Sequence, residues 1–335
     1  MKIIKKLENN KYKADFLIVG SGNIAKRHLK NISLINKKSK IIIFKRSDSK
    51  IDKFFLKKSF LMCNSLNYVE TNNNKSIAII CSPASYHIED AIKLIKKGFH
   101  LLIEKPLTTM RKNVTKLINI KHNYRNKILI GYNMRFTERI EYLLKLLKGK
   151  QYSEIEHIDI KAFTDFREWR KNKYFKNTVT FNKDLGGGVI NELSHEIDYM
   201  NLLFGKPDTV IVNEIKKNIN INVEHHIVAF FQYHKKQYSI NLELDMLSKK
   251  NQRICDILFH NKKISINHNL NQIIINNMKK KFNYNINKSY IKELKHLKKL
   301  INNKELKENF KESITTQKII NAMHISLLKK KKVNI

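Results

Sequence analysis

Between residues 15 and 132 the sequence alternates short apolar runs with longer amphipathic segments. The runs are continuous rather than interrupted by polar residues, which is typical of strands buried on both faces of a parallel sheet. Between two of them, residues 88–97 carry apolar side chains at helical spacing and end before Gly98, a common helix C-cap. This alternation predicts an α/β fold with an N-terminal doubly wound parallel sheet of the Rossmann type. The predicted strands are residues 16–19, 41–44, 77–81, 100–103 and 128–130.

The pattern changes after residue 133. Helices are predicted near 136–148 and 189–203, and beyond Pro207 six strand-like runs follow one another with short turns and no helices between them. Such spacing predicts a largely antiparallel open sheet with one face covered. Two further helices are predicted at 289–301 and 308–328, followed by a solvated lysine run at 329–332. We therefore expect a Rossmann domain at 1–133 and an α+β domain at 134–335.

The charge of the chain is unusual. A formal net charge of +37 often indicates a nucleic acid or an anionic membrane as partner. However, only nine of the 66 basic residues are Arg, whose planar fork suits phosphate recognition, and the 57 Lys are spread along the whole chain. Asn and Ile are also unusually frequent, as AT-rich codons would produce. We attribute the charge to biased composition and expect no nucleic-acid or membrane partner.

The cellular compartment is indicated by what the sequence lacks. No apolar run approaches the ~20 residues of a membrane helix, and the basic N-terminus is not followed by the apolar segment of a signal peptide. Cys63, Cys81 and Cys255 are far apart, without CxxC spacing, and are expected to be reduced, buried thiols. These features predict a cytoplasmic protein, and no metal site is expected.

The turn after the first predicted strand has the sequence GSGNIA at 20–25, a GxGxxA pattern at the start of a helix. In that position the first glycine permits a tight turn, and the second lets the backbone approach a pyrophosphate at the helix N-terminus. Ala25 keeps the helix close to the strand. The pattern predicts dinucleotide binding by Gly20, Ser21, Gly22, Asn23 and Ile24.

The end of the second strand bears on the choice of dinucleotide. NAD enzymes usually carry Asp or Glu there for the ribose 2′-hydroxyl, whereas this chain has Lys45, Arg46 and Ser47. Two cations and a hydroxyl suit a 2′-phosphate and favour NADP over NAD. The alternative is that Lys45 is compositional and Asp48 binds the ribose.

Two more motifs follow predicted strands: CSPASYH at 81–87 and LIEKPL at 102–107. Open α/β sheets bind ligands at the carboxyl ends of their strands. Ser82, Pro83, Glu104 and Lys105 are therefore expected to contact the cofactor. His87 either contacts it as well or only caps or packs its helix.

The order of these motifs resembles the Gfo/Idh/MocA (glucose–fructose oxidoreductase / inositol dehydrogenase) family. The similarity runs in family order through GxGxxA, SPxxxH and EKP, then GYNMRF at 131–136 and GGGVINELSHEIDYMNLLFG at 186–205. It implies an NAD(P)-dependent enzyme that transfers a hydride between nicotinamide and a secondary alcohol or ketone. The implied substrate is a sugar, sugar acid or nucleotide sugar, and the implied assembly is a homodimer or homotetramer.

The resemblance also implies the catalytic residues. Lys105 corresponds to the lysine that stabilises charge on the substrate oxygen, and His195 to the substrate-side acid/base. Glu192 and Asn191 lie three and four residues before His195, so on one helix either side chain can sit beside the imidazole. Many family members have Asp where Glu192 stands. The glycines at 186–188 are expected to let a ligand approach closely.

The segment 164–178 is rich in Arg and aromatic residues, and either lines the substrate pocket or makes a subunit contact. It resembles family members linked to surface-polysaccharide sugars, although it lacks the Pro expected after Trp169-Arg170. Alternative functions are reduction of another carbonyl compound, or a non-catalytic nucleic-acid-binding or regulatory role. The expected substrate-binding residues are Lys105, Asn133, Arg135, Arg167, Trp169, Arg170, Asn191 and His195.

Overall fold

The structure, a computed structural model, describes residues 3–4, 11–46, 53–56, 61–109, 111–147, 154–169, 178–215, 221–283, 285–303 and 305–335. The chain divides into two compact units. The first comprises 1–131 and 286–311, and the second comprises 132–285 and 312–335. The division after residue 131 is close to the one predicted after 133, whereas 286–311 groups with the first unit rather than the second.

The first unit is built on a parallel sheet. Its strands run in the order β1-β5-β4-β3-β7-β8-β9, and β3, β7, β8 and β9 are buried along their whole length. The predicted Rossmann-type sheet is thereby confirmed. The elements are β1 (Ile3–Ile4), β2 (Tyr12–Ala14), β3 (Phe16–Val19), α1 (Asn23–Ile35), β4 (Ile41–Phe44), α2 (Lys53–Leu56), β5 (Leu61–Cys63), β6 (Val69–Thr71), β7 (Ile77–Ile80), α3 (His87–Lys96), β8 (His100–Glu104), α4 (Arg111–His122) and β9 (Ile128–Gly131). Strands β2 and β6 form a separate parallel pair.

The second unit contains a nine-stranded sheet. Its order is β17-β16-β15-β14-β10-β13-β12-β11-β18, antiparallel except for the pair β10–β13, so the largely antiparallel sheet is also confirmed. The elements from here to the C-terminus are α5 (Glu138–Leu147), β10 (Ile155–Asp165), α6 (Phe166–Trp169), α7 (Val189–Glu192), α8 (Ser194–Phe204), β11 (Thr209–Glu214), β12 (His226–Tyr233), β13 (Tyr238–Asp245), β14 (Leu247–Phe259), β15 (Lys262–Asn267), β16 (Gln272–Ile275), β17 (Met278–Lys281), α9 (Ile286–Asn302), α10 (Phe310–Lys329) and β18 (Val333–Asn334).

Helices cover one face of this second sheet. Residues of α5, α8 and α10 form a single apolar core with the inward-facing residues of the strands. The other face is uncovered within the described residues, and alternate side chains of β12, from His226 to Gln232, are half-buried or exposed there. Lys329 to Lys332 are exposed, as predicted, and the two residues after them form the edge strand β18 beside β11.

Segment 286–311 joins the first unit because it completes that unit's sheet. Helix α9 packs against α1, β8 and β9. Strand β9 lies at the edge of the sheet, where backbone groups need other partners. The Asn309 side chain accepts a hydrogen bond from the Ile130 N–H at 2.8 Å and donates one to the Ile130 carbonyl at 2.8 Å. The apolar periodicity of 286–311 predicts a helix, but it does not indicate which of the two sheets the helix and the residues after it bind.

In the part of the chain that the structure describes, no helix is long and apolar enough to cross a membrane. The three cysteines are buried free thiols, as expected. Burial raises the pKa of the Cys63 thiol to about 12, which makes it unreactive at neutral pH.

Candidate active site

Three turns lie at the carboxyl edge of the parallel sheet, after β3, β7 and β8. Since β3 pairs with β7 and β7 pairs with β8, the glycine turn, the SPASYH turn and the EKP turn follow neighbouring strands. This is the edge where open parallel sheets bind ligands. The structure therefore brings together the three predicted cofactor motifs of the first unit.

The glycine turn fits a dinucleotide pyrophosphate. Gly20 has φ +113°, and a Cβ there would lie 2.8 Å from the Cys81 carbonyl oxygen, so the residue must be glycine. A Cβ at Gly22 would meet nothing within 4 Å, which leaves open space at the N-terminus of α1. That terminus has no side-chain cap and no acidic residue in its first turn. Its N–H groups and positive dipole end are thus available to an anion. Ala25 is fully buried, as its predicted role requires.

Arg46 lies at the end of β4 and is held in place by its neighbours. Its Nη2 donates to Asp90 Oδ1 at 2.6 Å, and its Cζ lies 4.6 Å from the centre of the Tyr86 ring. Asp90 Oδ2 accepts a hydrogen bond from the Ser82 hydroxyl at 3.0 Å. One buried carboxylate therefore links two predicted cofactor-binding residues. Lys45 is half-buried beside them, and Ser47 and Asp48 lie outside the described residues.

His87 is enclosed by protein. Its ring is 1% exposed, and its two nitrogens lie 3.0 Å from the Pro106 carbonyl oxygen and 2.8 Å from that of Ser82. Burial lowers the pKa of this imidazole, although the two carbonyls and the nearby carboxylates of Glu104 and Asp90 oppose the shift. These contacts favour the packing alternative, in which His87 braces the EKP turn.

Glu104 turns inward towards α1. Its Oε1 lies 2.7 Å from Nε2 of His28, which is fully buried, and its Oε2 lies against Gly131, where a Cβ would be 3.1 Å away. His28 Nδ1 has no hydrogen-bond partner among the described residues. An N–H at that position would be buried and unpaired, so we place the proton of the neutral ring on Nε2, where it is donated to Glu104. Lys105, the next residue, is half-buried.

The predicted helix at 189–203 is two helices in the structure. The backbone leaves the helical region at Leu193, with φ −99° and ψ 29°, and this residue separates α7 from α8. Glu192 therefore ends one helix while His195 is the second residue of the next, and the prediction of one continuous helix is wrong. Leu193 itself is 3% exposed and remains in the core. The His195 ring is half-buried and lies edge-on to Tyr132, with 6.0 Å between ring centres.

The glycine triplet is required by protein contacts. A Cβ at Gly187 would lie 2.5 Å from the carbonyl oxygens of Val179 and Thr180. A Cβ at Gly188, whose φ is +109°, would lie 2.3 Å from Oε1 of Glu224. The glycines thus allow close contacts with other parts of the same chain, where a contact with a ligand was expected. One of these contacting residues, Glu224, was not identified from the sequence.

Glu224 is a half-buried residue whose carboxyl group lies beside α7. Its Oε1 accepts a hydrogen bond from the Ile190 N–H at 3.3 Å. Burial raises the pKa of Glu224 to about 7, with a smaller rise from the charge of Glu214, while its backbone hydrogen bonds and Lys183 oppose the shift. Close by in sequence, Asn191 Oδ1 accepts a hydrogen bond of 3.4 Å from His324 Nε2. Burial lowers the pKa of His324 to about 4.

Arg135 is occupied by an internal ion pair. Its Nε and Nη2 donate to the two carboxylate oxygens of Asp198 at 2.7 and 2.6 Å, and Asp198 also accepts a hydrogen bond from Thr316. The two side chains are 9% and 1% exposed. This bidentate pair fixes α8 against the segment that contains Asn133, which is itself buried. The Arg135 guanidinium is therefore bound to Asp198 and has little exposed surface with which to bind a substrate.

The Arg-rich segment is only partly described. Arg167 Nη2 donates to Asp165 Oδ2 at 2.6 Å and to the Leu247 carbonyl at 3.2 Å, so its guanidinium is bound at the end of β10, the strand that precedes α6. Trp169 ends α6, and its side chain is outside the described residues, as are Arg170 and the rest of the segment through 177. The alternatives of pocket and subunit contact both remain predictions.

Three residues of the candidate site were missed by sequence reasoning: His28, Asp90 and Glu224. His28 and Asp90 stand on helices that the sequence predicted, but their partners are 76 and 44 positions away, at Glu104 and Arg46. Only the folded sheet reveals such pairs. Among the described residues, no three His, Cys, Asp or Glu side chains cluster in a way that could hold a metal ion.

Both halves of the chain match models of one oxidoreductase family, named GFO_IDH_MocA. Residues 14–132 match its NAD-binding Rossmann fold, and residues 159–335 match its C-terminal alpha/beta domain. The two matches cover most of the chain and correspond to the two sheets described above.

Individual relatives are distant. A 1-carboxy-3-chloro-3,4-dihydroxycyclo hexa-1,5-diene dehydrogenase of Comamonas testosteroni is 26% identical over 133 residues, which are 39% of this chain and 32% of that protein. Glucose-6-phosphate 3-dehydrogenase of Bacillus subtilis is 22% identical over 207 residues, which are 62% of this chain and 58% of that protein. The chain thus spans between 32% and 58% of the length of these two curated relatives.

A solved structure matches over nearly the whole chain. The WlbA dehydrogenase from Bordetella pertussis, in complex with NADH and UDP-GlcNAcA, superposes with a TM-score of 0.79 and 15% sequence identity. The superposition covers 97% of this chain and 99% of that one. At this identity the likeness shows a shared fold.

Proposed function

Because the chain belongs to the Gfo/Idh/MocA oxidoreductase family, we propose that it transfers a hydride between a nicotinamide dinucleotide and a secondary alcohol or ketone of a sugar, sugar acid or nucleotide sugar. The observation that carries this proposal is the placement of the glycine turn and the EKP turn on one edge of the parallel sheet. The sugar class is supported by the glucose-6-phosphate 3-dehydrogenase of Bacillus subtilis and by the UDP-GlcNAcA bound to the WlbA dehydrogenase.

The bound dinucleotide supplies reversible hydride transfer at its nicotinamide ring. The chain's own contribution begins at the open N-terminus of α1, where the backbone around Gly22 would hold the pyrophosphate. Arg46 and Lys45 would hold a 2′-phosphate, which makes NADP the preferred dinucleotide and NAD the alternative. Ser82 and Pro83, in the turn after β7, complete the proposed cofactor contacts.

In the proposed mechanism Lys105 donates a hydrogen bond to the substrate oxygen and stabilises the negative charge that develops on it. His195 takes the hydroxyl proton during oxidation and returns it during reduction. Glu192 orients the imidazole, and Asn133 and Asn191 supply amide groups for substrate hydroxyls. Glu104, held by His28, fixes the strand end from which Lys105 projects.

We also propose a cytoplasmic homodimer or homotetramer whose subunits meet through the uncovered face of the nine-stranded sheet. Phe230, at 36% exposure, lies on that face, as do the half-buried Val228 on the same strand and Leu258 on β14. Asp159, Glu243 and the exposed Lys161 lie there too, so this face carries both signs of charge on a chain with a net charge of +37. Repulsion between two copies is therefore smaller here than over a lysine-rich surface. A nucleic-acid partner is not part of the proposal.

Fluorescence titration of the purified chain with NADH and NADPH tests the dinucleotide function. Saturable binding of at least one of them at micromolar concentration is expected. The absence of binding by both at about 1 mM would exclude the proposed function.

Lys105→Ala tests the mechanism once a screen of sugars, sugar acids and nucleotide sugars has identified a substrate. The variant should lose about a hundredfold or more in kcat while its dinucleotide Kd stays within about threefold. Lys96→Ala, which removes an exposed lysine at the end of α3, is the matched control and should keep full activity. Unchanged turnover in Lys105→Ala would remove Lys105 from the mechanism.

A further inference from the structure

The guanidinium of Arg46 is held in one orientation. Its Nη2 bonds to Asp90 at 2.6 Å, and its Cζ lies 4.6 Å from the Tyr86 ring centre and 5.4 Å from that of Phe44. The side chain is still 41% exposed. Five N–H donors project from a guanidinium, and Asp90 engages those of a single nitrogen. Arg46 is thus both anchored and accessible at the end of β4.

Asp90 serves as an anchor rather than as a ligand-binding group. It is fully buried in the first turn of α3, and both of its oxygens are engaged, Oδ1 by Arg46 and Oδ2 by the Ser82 hydroxyl. A carboxylate in this state cannot accept a hydrogen bond from a ribose hydroxyl. This distinguishes it from the exposed carboxylate that NAD enzymes place at the end of their second strand.

We infer that Asp90 is a specificity-determining positioning residue, which orients the Arg46 guanidinium towards the 2′-phosphate of adenosine and so selects NADP over NAD. This inference rests on the proposed dinucleotide function. A free Arg side chain loses about 2 kcal/mol of rotamer entropy when it is immobilised. Arg46 is already restricted by Asp90, Tyr86 and Phe44 before the ligand binds. Less rotamer entropy is therefore lost on binding, and the binding free energy is more favourable.

Asp90 could affect NADP binding by orienting Arg46 or by its own negative charge, and these two effects predict different results. Asp90 is negative, so its charge alone would weaken the attraction between Arg46 and a phosphate. If charge dominated, removing any nearby carboxylate would strengthen NADP binding. Glu89, the preceding residue, is an exposed carboxylate that is near enough to Arg46 for their charges to interact, but its ion-pair partner is Lys93, at 2.6 Å. Glu89→Gln and Asp90→Asn therefore remove the same charge, and only Asp90→Asn also replaces the ion pair with Arg46 by a weaker, neutral hydrogen bond.

The test is to measure Kd for NADPH and NADH, which differ only in the 2′-phosphate, by fluorescence titration at one fixed salt concentration. For the wild-type chain we expect NADPH to bind at least about tenfold tighter than NADH. Asp90→Asn should reduce this ratio to about threefold or less, mainly by weakening NADPH binding, with the Kd for NADH changed less than about threefold. Glu89→Gln should retain the wild-type ratio within about twofold.

Arg46→Lys keeps the charge and loses the planar fork, and it should also lower the ratio to about threefold or less. It keeps the inference testable if Asp90→Asn does not fold, which thermal melts of each variant will report. Equal affinities in the wild type would overturn the inference, as would a tenfold preference retained in Asp90→Asn or in Arg46→Lys. An equal loss in Glu89→Gln would also overturn it, because the loss would then not be specific to the carboxylate that holds Arg46. Binding of neither dinucleotide to the wild type would instead reject the proposed function itself.

Discussion

At the scale of single residues, the contact between His28 and Glu104 is the most consequential one in the first unit. The pair is buried, with side chains 0% and 9% exposed, and connects α1 to the strand end before Lys105. His28→Leu would leave the carboxylate buried without this donor. We expect the variant to lose about 3 kcal/mol of unfolding free energy in urea. His28→Gln retains an N–H donor and should lose less than half as much.

Asn31 provides a control on the same helix. It lies one turn after His28, is fully buried, and its amide oxygen and nitrogen have no hydrogen-bond partners in the described chain. Asn31→Leu replaces an unpaired polar group by an apolar one of similar volume. Its unfolding free energy should be unchanged or rise by about 1 kcal/mol. A loss as large as that of His28→Leu would mean that this helix tolerates no substitution and that the His28 effect is not specific.

Glu224 is expected to give the stability of the protein a dependence on pH. Its pKa is about 7 in the folded chain, against an ordinary value of 4.5, because burial disfavours the charged form. Between these values the folded state binds the extra proton, so this group's stabilisation is complete below about pH 4.5 and is lost as pH rises through about 7. The loss amounts to at most about 3 kcal/mol.

Urea unfolding of wild type and Glu224→Gln at pH 5 and pH 8 measures this contribution. The glutamine variant can still accept the Ile190 N–H and carries no charge, so it should be the more stable of the two at pH 8 and should lose less stability between the two pH values. Glu214→Gln removes a half-buried carboxylate nearby and should retain most of the wild-type slope. Identical slopes in wild type and Glu224→Gln would show that Glu224 does not titrate in this range.

At the scale of elements, the two glycines of the turn after β3 have separable roles. Gly20 has φ +113° and no room for a Cβ, so Gly20→Ala should destabilise the fold by about 2 kcal/mol. Gly22 has φ −79° and open space around it, so Gly22→Ala should change unfolding free energy by less than about 0.5 kcal/mol. Its methyl group should nevertheless weaken NADH or NADPH binding by about tenfold or more, as measured by fluorescence. Full affinity in Gly22→Ala would place the pyrophosphate elsewhere.

The elements that the sequence predicted best are those whose apolar pattern is local. The five buried runs all became strands of the parallel sheet, because a continuous apolar stretch can be satisfied only between two covered faces. The split between α7 and α8 was not predicted, since Leu193 is apolar and fits a continuous helix by spacing alone. The glycine triplet was recognised as special, but its neighbours Glu224, Val179 and Thr180 come from other segments. Pairings of that kind depend on tertiary contacts that no local pattern encodes.

At the scale of the whole molecule, the uncovered face of the nine-stranded sheet is the proposed contact between subunits. Phe230→Glu replaces an apolar side chain of this face by a charged one, which a contact between two copies of the face would have to bury. We expect the variant to sediment as a smaller species than the wild type in analytical ultracentrifugation. Leu270→Glu, at a position 60% exposed in the turn between β15 and β16, should leave the assembly unchanged. A wild type that is already monomeric, or a Phe230→Glu variant of unchanged size, would contradict the proposed interface.

The grouping of 286–311 with the first unit has a consequence for how the chain acquires its structure during synthesis. The edge strand β9 leaves the ribosome more than 170 residues before its partners Glu308 and Asn309, which lie 180 and 179 positions further on. One edge of the parallel sheet therefore stays uncovered while all strands of the second sheet but β18 are translated. A nascent chain arrested shortly after residue 131 should be more sensitive to protease than one arrested well beyond residue 311. For the same reason the first 133 residues, expressed alone, would lack the segment that closes their own sheet.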